Sequence, residues 1–409
     1  MSRLLLLARG DHRAFRHIDG HSILGDLPFD VHVFADRACA GHFPVGDDRV
    51  TLEIVRWSDA ATILARAAAL HEETPFTGVA TFDENLMLLA GRLRETLGVA
   101  GMDEALTERF RDKRLMKDLL GKAGMRVPHY APCSDRDAVA AILARYGHIV
   151  VKPFDGLGSR GVHFIETAEE LDAWYDGCDG VSGYQAEEYI EGTLYHVNAL
   201  VLDGRPVLTA SAPYLPGMAN IDFASGAPFV SVSLEPSGLR DRLEAFSDAA
   251  IAVLGLRNGV THLECFVTPQ DELVFCEVAA RPGGGGIVLM IELQHDVHFG
   301  RALAMIEAGY GSSVQFQPHG ASDGVAGLVG FRWPTSGFVR QVPSPDRFSE
   351  SWIHHFSAEV APGDFVPACA HCTDYVGLMI LMSEDSAQFD ARRRQVHDRF
   401  YQDFAVEAA

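Results

Sequence analysis

The stretch THLECFVTPQDELVFCEVAARPGGGG, residues 261–286, decides the fold of this chain. Residues 262–267 and 273–278 are rich in Val, Phe, Leu and Cys, which are typical of β-strands. Between them, Pro269-Gln270-Asp271-Glu272 is typical of a turn. The pattern predicts an antiparallel hairpin that ends in an arginine and a run of glycines.

The hairpin pairing brings two acidic residues together. With Gln270-Asp271 as the centre of the turn, Glu264 lies directly opposite Glu277. Because side chains alternate along a strand, Cys265 and Cys276 are expected on the opposite face. Opposed side chains are separated by about 5 Å at Cβ, where like charges destabilise a sheet. We therefore expect a cation between the two carboxylates.

A hard divalent cation satisfies that expectation. Mg²⁺ is bound in proteins through one or two carboxylates, waters and phosphate oxygens, and Mn²⁺ is the alternative ion. Glu264 and Glu277 are the predicted metal ligands, Arg281 follows four residues later, and Gly283–Gly286 offers uncrowded backbone N–H groups to an anion. The alternative is a surface hairpin with solvated glutamates.

Length and composition restrict the function classes. A chain of 409 residues with 47% hydrophobic residues predicts two to four compact units. The formal charge of −22 disfavours nucleic acid and anionic membranes as main partners. We find no signal peptide pattern and no apolar run long enough to cross a bilayer, and seven cysteines is an odd number. These features predict a cytoplasmic protein with reduced thiols.

Alternating strand and helix patterns organise the chain. The amino-terminal part alternates strands with amphipathic helices, which predicts an α/β, Rossmann-like domain. The predicted boundaries divide the chain into four units: 1–110, 111–190, 191–310 and 311–409.

A glycine-rich segment, KPFDGLGSRG at 152–161, is the second informative motif. Gly156, Gly158 and Gly161 match the dinucleotide fingerprint, but the following GVHFIE alternates like a strand and not like a helix. The context predicts a hairpin whose backbone amides approach phosphates, with Lys152 supplying positive charge. An ordinary glycine-rich turn is the alternative.

The segment YQAEEYIEG, residues 184–192, is typical of a strand that leads into a linker between two lobes. A purine fits along its exposed edge. We expect Glu187 to accept a hydrogen bond from an adenine amino group, and Glu191 or His196 to contact ribose hydroxyls.

Taken in order, these motifs resemble the ATP-grasp superfamily over residues 78–310, in particular its carboxylate-amine ligase branch, which includes L-amino acid ligases. RDKRLMKDLLGKAGMRVP at 111–128 is similar to the helix whose lysine contacts ATP, so that role falls on Lys113. The resemblance gives Lys152 to the phosphates and Ser159 to a flexible cover over them.

The resemblance also extends to the adenine site and the metal site. It places Glu187 and the backbone through Tyr189 and Ile190 at adenine. It gives Glu264 and Glu277 to Mg²⁺, and Arg281 to the transferring phosphoryl group. One position departs from the pattern: many members carry Asn two residues after the second glutamate, where this chain has Ala279.

The implied fold is an ATP-grasp fold: an N-terminal Rossmann-like domain, two α+β lobes that clasp ATP, and a small C-terminal α+β unit. The implied reaction joins a small-molecule carboxylate to an amine through an acyl phosphate, with Lys152, Glu277 and Arg281 as catalytic residues. His262, on the face of Glu264, is a candidate to assist the amine, and a homodimer is the expected assembly. The alternatives are a biotin-dependent carboxylase, a non-catalytic nucleotide-binding scaffold, and a dehydrogenase.

Overall fold

The computed structural model describes residues 2–10, 12–43, 48–218, 225–318 and 324–408. The strands are β1 (Arg3–Ala8), β2 (Asp30–Ala35), β3 (Val50–Ile54), β4 (Gly78–Thr81), β5 (Tyr130–Pro132), β6 (Ile149–Pro153), β7 (His163–Ile165), β8 (Tyr184–Glu188), β9 (Thr193–Leu202), β10 (Arg205–Pro213), β11 (Phe229–Val232), β12 (Gly259–Val267), β13 (Leu273–Ala279), β14 (Val325–Phe331), β15 (Gly337–Gln341), β16 (Ile353–Ala358), β17 (Phe365–Val366), β18 (Gly377–Ser383) and β19 (Ala405–Ala408). The α-helices are α1 (Ala60–Glu73), α2 (Met87–Leu97), α3 (Glu104–Glu108), α4 (Lys113–Lys122), α5 (Arg136–Tyr146), α6 (Ala168–Gly177), α7 (Gly238–Leu254), α8 (Ile287–His295), α9 (Phe299–Glu307) and α10 (Ser386–Asp403).

The N-terminal domain is a parallel sheet with strand order β3-β2-β1-β4, as the alternating pattern predicts. β1 is buried on both faces. Leu5 and Leu7 pack with the helices α1 and α2, whereas Leu4 and Leu6 pack in the core that contains α8 and α9. The second face of this sheet is therefore covered by helices from the middle of the chain, which fixes the domain against the site described below.

The small lobe is an antiparallel sheet with order β5-β8-β6-β7, covered by α5 and α6. The large lobe is an antiparallel sheet with order β10-β9-β12-β13. Helix α4 belongs to this second core, because its Met116 and Leu120 pack with Leu243 and Leu254 of α7. The predicted small lobe, which began at residue 111, includes a helix that packs with the large lobe instead.

The C-terminal sheet has the order β11-β14-β18-β16, and α10 packs on it through Phe389, Val396 and Phe400. β11 precedes the predicted boundary at 311 by about eighty residues, yet it pairs with β14. A short strand pattern does not specify which sheet edge it joins, so sequence alone missed this link. The C-terminal unit is thereby joined to the large lobe by hydrogen bonds.

Two expectations from composition can be compared with the structure. All seven cysteines are free thiols. Among the helices of the described residues, none has the length and apolar character needed to cross a bilayer.

Candidate active site

A cavity of about 920 Å³ lies where the N-terminal domain, both lobes and the C-terminal unit meet. This volume lies within the range of small-molecule and cofactor sites. The cavity wall includes Lys113, Lys152, Glu264, Glu277 and Arg281. The structure therefore brings together charged residues from segments far apart in the sequence.

Strands β12 and β13 form the predicted hairpin, and Glu264 lies directly opposite Glu277. The turn differs from the prediction, because the loop closes with a bond from Thr268 N to Glu272 O and has Asp271 at φ 63°. Such a loop, with a left-handed residue at its end, contains one residue more than a two-residue turn.

A β-bulge after Glu264 restores the pairing of the two glutamates, since Cys265 pairs with Phe275. Cys265 lies in the apolar core as predicted. The prediction for Cys276 was wrong: it lines the cavity, because the extra residue of the bulge interrupts the alternation of β13.

Each glutamate of the pair has a hydrogen-bonding partner. Glu264 Oε1 accepts a bond from the Tyr214 hydroxyl at 2.6 Å, and Glu277 Oε2 lies 2.9 Å from Lys113 Nζ. Burial acts to raise the pKa of Glu277, but the nearby Lys113 and Lys152 lower it to about 2. Glu277 therefore stays ionised at neutral pH.

The donor set fits a hard divalent cation. Glu264 and Glu277 offer carboxylate oxygens from adjacent strands into one cavity. Within the ranges that the structure describes, His, Cys, Asp and Glu form no group of three or more that could hold a metal ion. Two carboxylates combined with waters and phosphate oxygens are a common environment for Mg²⁺.

Three charged side chains form a buried cluster at the base of the small lobe. Glu187 lies 2.6 Å from Lys117 Nζ and 3.0 Å from Lys152 Nζ. Burial raises the pKa of Glu187, but the two ammonium groups outweigh it and the pKa is lowered. Burial lowers the pKa of Lys117, whereas Glu187 and neighbouring acidic groups outweigh burial at Lys152 and raise its pKa.

The cluster gives Glu187 partners that the sequence did not predict. Its oxygens are held by Lys117 and Lys152, and Gln185 donates to Oε1 at 2.8 Å. The carboxylate lies at the cavity, with one oxygen close to Lys117 and the other close to Lys152. It fixes the position of Lys152 in the cavity wall.

The glycine-rich segment connects β6 and β7, which pair antiparallel, so the predicted hairpin is confirmed. Gly158 has a φ of 62°, which glycine adopts without strain. Ser159 follows it with a φ of 60°. Lys113 Nζ donates to the carbonyl of Gly156 at 2.6 Å. A Cβ at Gly158 would lie 2.2 Å from His371 Nε2, so the C-terminal unit approaches this loop closely.

Arg281 is held by a residue of the N-terminal domain. Glu84 Oε2 accepts a bond from Arg281 Nε at 3.0 Å, and Oε1 pairs with Arg111. Burial raises the pKa of Glu84, but Arg281 and Arg111 lower it overall. Arg111 also donates to the carbonyl of Asp155 at 2.6 Å. This ion pair network connects the N-terminal domain, the glycine-rich loop and the large lobe.

The linker between the lobes has one aromatic residue at the cavity. The ring of Tyr189 stacks on His148, with centroids 4.0 Å apart, and Tyr189 and Ile190 both line the cavity. Glu191 is exposed and outside the cavity wall. His196 is fully buried, and its ring bonds to Ser231 and Asn198. The structure therefore does not bring Glu191 or His196 to the position predicted for ribose contacts.

Sequence reasoning missed three residues of this site. Lys117 follows Lys113 by one helical turn, so the spacing offered a signal for it. Glu84 and His371 lie far from the other motifs in the sequence, and their contacts depend on tertiary structure. Tyr214 and Phe229 also line the cavity, and residues 219–224 between them lie outside the described ranges.

Comparison with known proteins agrees with this geometry. Residues 147–289 match the family model of the ATP-grasp domain. The match lies in the central part of the chain. That match includes Lys152, the glycine-rich loop, and both glutamates of the hairpin.

Similar proteins extend the comparison beyond that domain. The chain is 27% identical over 269 residues to an L-arginine-specific L-amino acid ligase of Bacillus subtilis, an alignment that spans 63% of this chain and 62% of that relative. The chain thus spans less than two thirds of that relative's length.

Two solved structures share the fold. The L-amino acid ligase from Bacillus licheniformis superposes with a TM-score of 0.77 at 17% identity, over 100% of this chain and 99% of the other. The biotin carboxylase domain dimer of the Hydrogenobacter thermophilus 2-oxoglutarate carboxylase superposes with a TM-score of 0.72 at 16% identity, over 99% and 90%. The whole chain, including its N-terminal and C-terminal units, shares the fold of these two structures.

Proposed function

We propose that this protein is an ATP-dependent ligase that joins a small-molecule carboxylate to an amine through an acyl phosphate. The observation that carries the proposal is one cavity in which Glu264 and Glu277 face each other beside Lys113, Lys152 and Arg281. The similarity to an L-amino acid ligase favours amino acids as substrates. A divalent ion bound to nucleotide phosphates would neutralise charge on them, and Mg²⁺ is the proposed ion with Mn²⁺ as the alternative.

In the first step a carboxylate oxygen attacks the γ-phosphorus of ATP, and the bond from that phosphorus to the bridging oxygen breaks. The products are an acyl phosphate and ADP. Lys152 and Lys113 supply positive charge beside the phosphates, and Arg281 supplies charge where the phosphoryl group transfers. Glu264 and Glu277 would hold the metal ion.

In the second step the amine nitrogen attacks the carbonyl carbon, the bond to phosphate breaks, and a proton leaves the nitrogen. Water competes with the amine for the acyl phosphate, so the site has to be closed. The glycine-rich loop covers one side of the cavity and meets His371 of the C-terminal unit. We infer that this contact helps to exclude water.

A screen for ADP release tests the proposal. Purified protein is incubated with MgATP and pairs of L-amino acids, and ADP and the ligated product are measured. ADP that forms only when a carboxylate and an amine are both present supports a ligase. ADP that forms with bicarbonate and biotin supports a carboxylase instead, and ATP binding without ADP supports a scaffold.

We also propose a homodimer and a cytoplasmic location. The dimer is suggested by the dimeric biotin carboxylase domain that shares this fold. Light scattering of the purified chain measures its mass in solution, and a monomer at working concentrations would contradict the proposed assembly.

A further inference from the structure

A chain of buried hydrogen bonds leads from the cavity wall into the large lobe. His262 Nδ1 lies 2.8 Å from Asn198 Oδ1, and Asn198 Nδ2 lies 2.9 Å from His196 Nδ1. His196 Nε2 then lies 2.7 Å from Ser231 Oγ. Asn198, His196 and Ser231 have no exposed surface, and His262 alone lines the cavity.

Two backbone carbonyls set the direction of this chain. Ser231 Oγ donates to the carbonyl of Pro213 at 2.9 Å, so the hydroxyl oxygen accepts from His196 Nε2. His196 Nδ1 is then an acceptor, which Asn198 Nδ2 satisfies. The second Nδ2 hydrogen points to the carbonyl of Ala210 at 3.4 Å, so the amide oxygen faces His262.

The direction fixes the tautomer of His262. Asn198 Oδ1 accepts, so His262 carries its proton on Nδ1 and presents the lone pair of Nε2. The nearest hydroxyl, that of Tyr214, lies 3.5 Å from Nε2 but donates to Glu264 at 2.6 Å.

Gly283 packs against the hydrogen bond between His262 and Asn198. A Cβ there would lie 3.0 Å from Asn198 Oδ1 and 3.0 Å from His262 Nδ1. Gly283 opens the glycine run that precedes α8 and lines the same cavity. His262 therefore adjoins the start of the glycine run on its Nδ1 side, and its Nε2 lies 3.6 Å from Glu264 Oε1.

We propose that Asn198 is a positioning residue that holds His262 in this tautomer, and that His262 Nε2 accepts a hydrogen bond from the attacking amine. This inference rests on the proposed ligase function. The bond orients the nitrogen towards the acyl phosphate, and no proton is transferred to the imidazole. His262 contacts the amine and Asn198 acts through His262.

The tautomer can be measured without any substrate. Long-range ¹H–¹⁵N correlation spectra of histidine-labelled protein separate Nδ1–H from Nε2–H imidazoles, and the variant His262→Asn assigns the signal. We expect Nδ1–H for His262 and Nε2–H for His196. An Nε2–H signal for His262 would overturn the inference. In Asn198→Leu we expect the Nε2–H form of His262 to appear.

The role of His262 is tested by measuring how the acyl phosphate divides between an amino acid and a small trapping nucleophile. The protein is given MgATP, a mixture of the twenty L-amino acids, and hydroxylamine at high concentration as the trap; dipeptide and hydroxamate are both measured. His262→Asn keeps a donor for Asn198 but lacks Nε2, so the dipeptide to hydroxamate ratio should fall about tenfold while hydroxamate still forms. His262→Gln, whose side-chain oxygen can accept a bond, should recover part of the ratio.

The control is His295→Gln, since His295 is a buried histidine outside the cavity wall, bonded to the carbonyl of Gln317. It should leave the ratio unchanged. A wild-type ratio in His262→Asn, or loss of hydroxamate together with dipeptide, would overturn the inference. Failure of the wild-type protein to form ADP would instead contradict the ligase proposal, and the spectra would still report the tautomer.

Discussion

The carboxylate of Glu84 accepts a hydrogen bond from Arg281 Nε at 3.0 Å, across 197 positions of sequence. Glu84 belongs to the N-terminal domain, and Arg281 follows the strand that carries Glu277. The nearby Glu84 also raises the pKa of Arg281 and outweighs the effect of burial. The N-terminal domain therefore orients a cation of the proposed phosphoryl-transfer site.

Glu84→Gln tests this orientation. The variant removes the charge that holds Arg281, and a small misplacement of a catalytic group can lower the rate about 100-fold. We expect ADP formation to fall by about that factor while the fold is retained, as judged by circular dichroism. The matched control is Glu104→Gln, because the Glu104 side chain is 37% exposed and pairs with Arg92 in the same domain. Wild-type ADP formation in Glu84→Gln would contradict the role of Glu84.

Gly158→Ala tests the contact between the glycine-rich loop and the C-terminal unit. An alanine at φ 62° is strained, and its Cβ would also meet His371 Nε2 at 2.2 Å. We expect weaker ATP binding, measured by calorimetry, and partial recovery in the double variant Gly158→Ala with His371→Ala.

The control for this prediction is Gly147→Ala. Gly147 lies in the same lobe at φ 72°, but a Cβ there would meet nothing within 4 Å. Gly147→Ala therefore has the same kind of backbone strain as Gly158→Ala but no steric overlap with His371. Equal loss of ATP affinity in both alanine variants, with no recovery in the double variant, would show that the His371 contact is unimportant.

Glu187→Gln tests the buried cluster through its pH dependence. The folded-state pKa of Glu187 is lowered, so its contribution to stability is present above the unfolded value of about 4.3 and is lost as the pH falls through the lower folded value. We expect the variant to melt at a lower temperature than wild type at pH 7, because Lys117 and Lys152 lose their partner.

The difference in melting temperature should shrink as the pH falls from about 5 towards 3, because wild type loses the contribution of Glu187 and the variant has none to lose. Differential scanning calorimetry at several pH values measures it. Glu191→Gln, at an exposed glutamate of the same segment, should follow wild type throughout. A difference that is constant over this range would contradict the ionised cluster.

The sequence predicted those parts of the site that depend on local pattern. Hydrophobic alternation and a turn placed Glu264 opposite Glu277, although the turn was assigned one residue too short and a bulge compensated for it. The spacing of glycines in a strand context predicted the hairpin after Lys152. Both features depend on neighbours within about twenty residues.

Features that depend on contacts between distant residues could not be predicted from the sequence. The sequence placed Glu187 on the strand β8, as observed. It did not predict the ion pairs of Glu187 with Lys117 and Lys152, because those lysines lie on two other elements. His196 was expected to contact ribose hydroxyls, yet its ring is fully buried and bonds to Ser231 of β11. β11 itself joins the C-terminal sheet, and its pattern of four residues gives no indication of that partner.

The most direct measurement is nucleotide affinity with and without a divalent ion. Isothermal titration calorimetry of ADP, with MgCl₂ or with EDTA, is applied to wild type, Glu264→Ala and Glu277→Ala, with Glu272→Ala as the control at an exposed position of the same hairpin. If Glu264 and Glu277 hold the ion, magnesium strengthens ADP binding in wild type and in the control. Both paired-glutamate variants then lose that increase and keep their metal-free affinity. An undiminished magnesium effect in Glu277→Ala would contradict the metal site on which the proposed reaction depends.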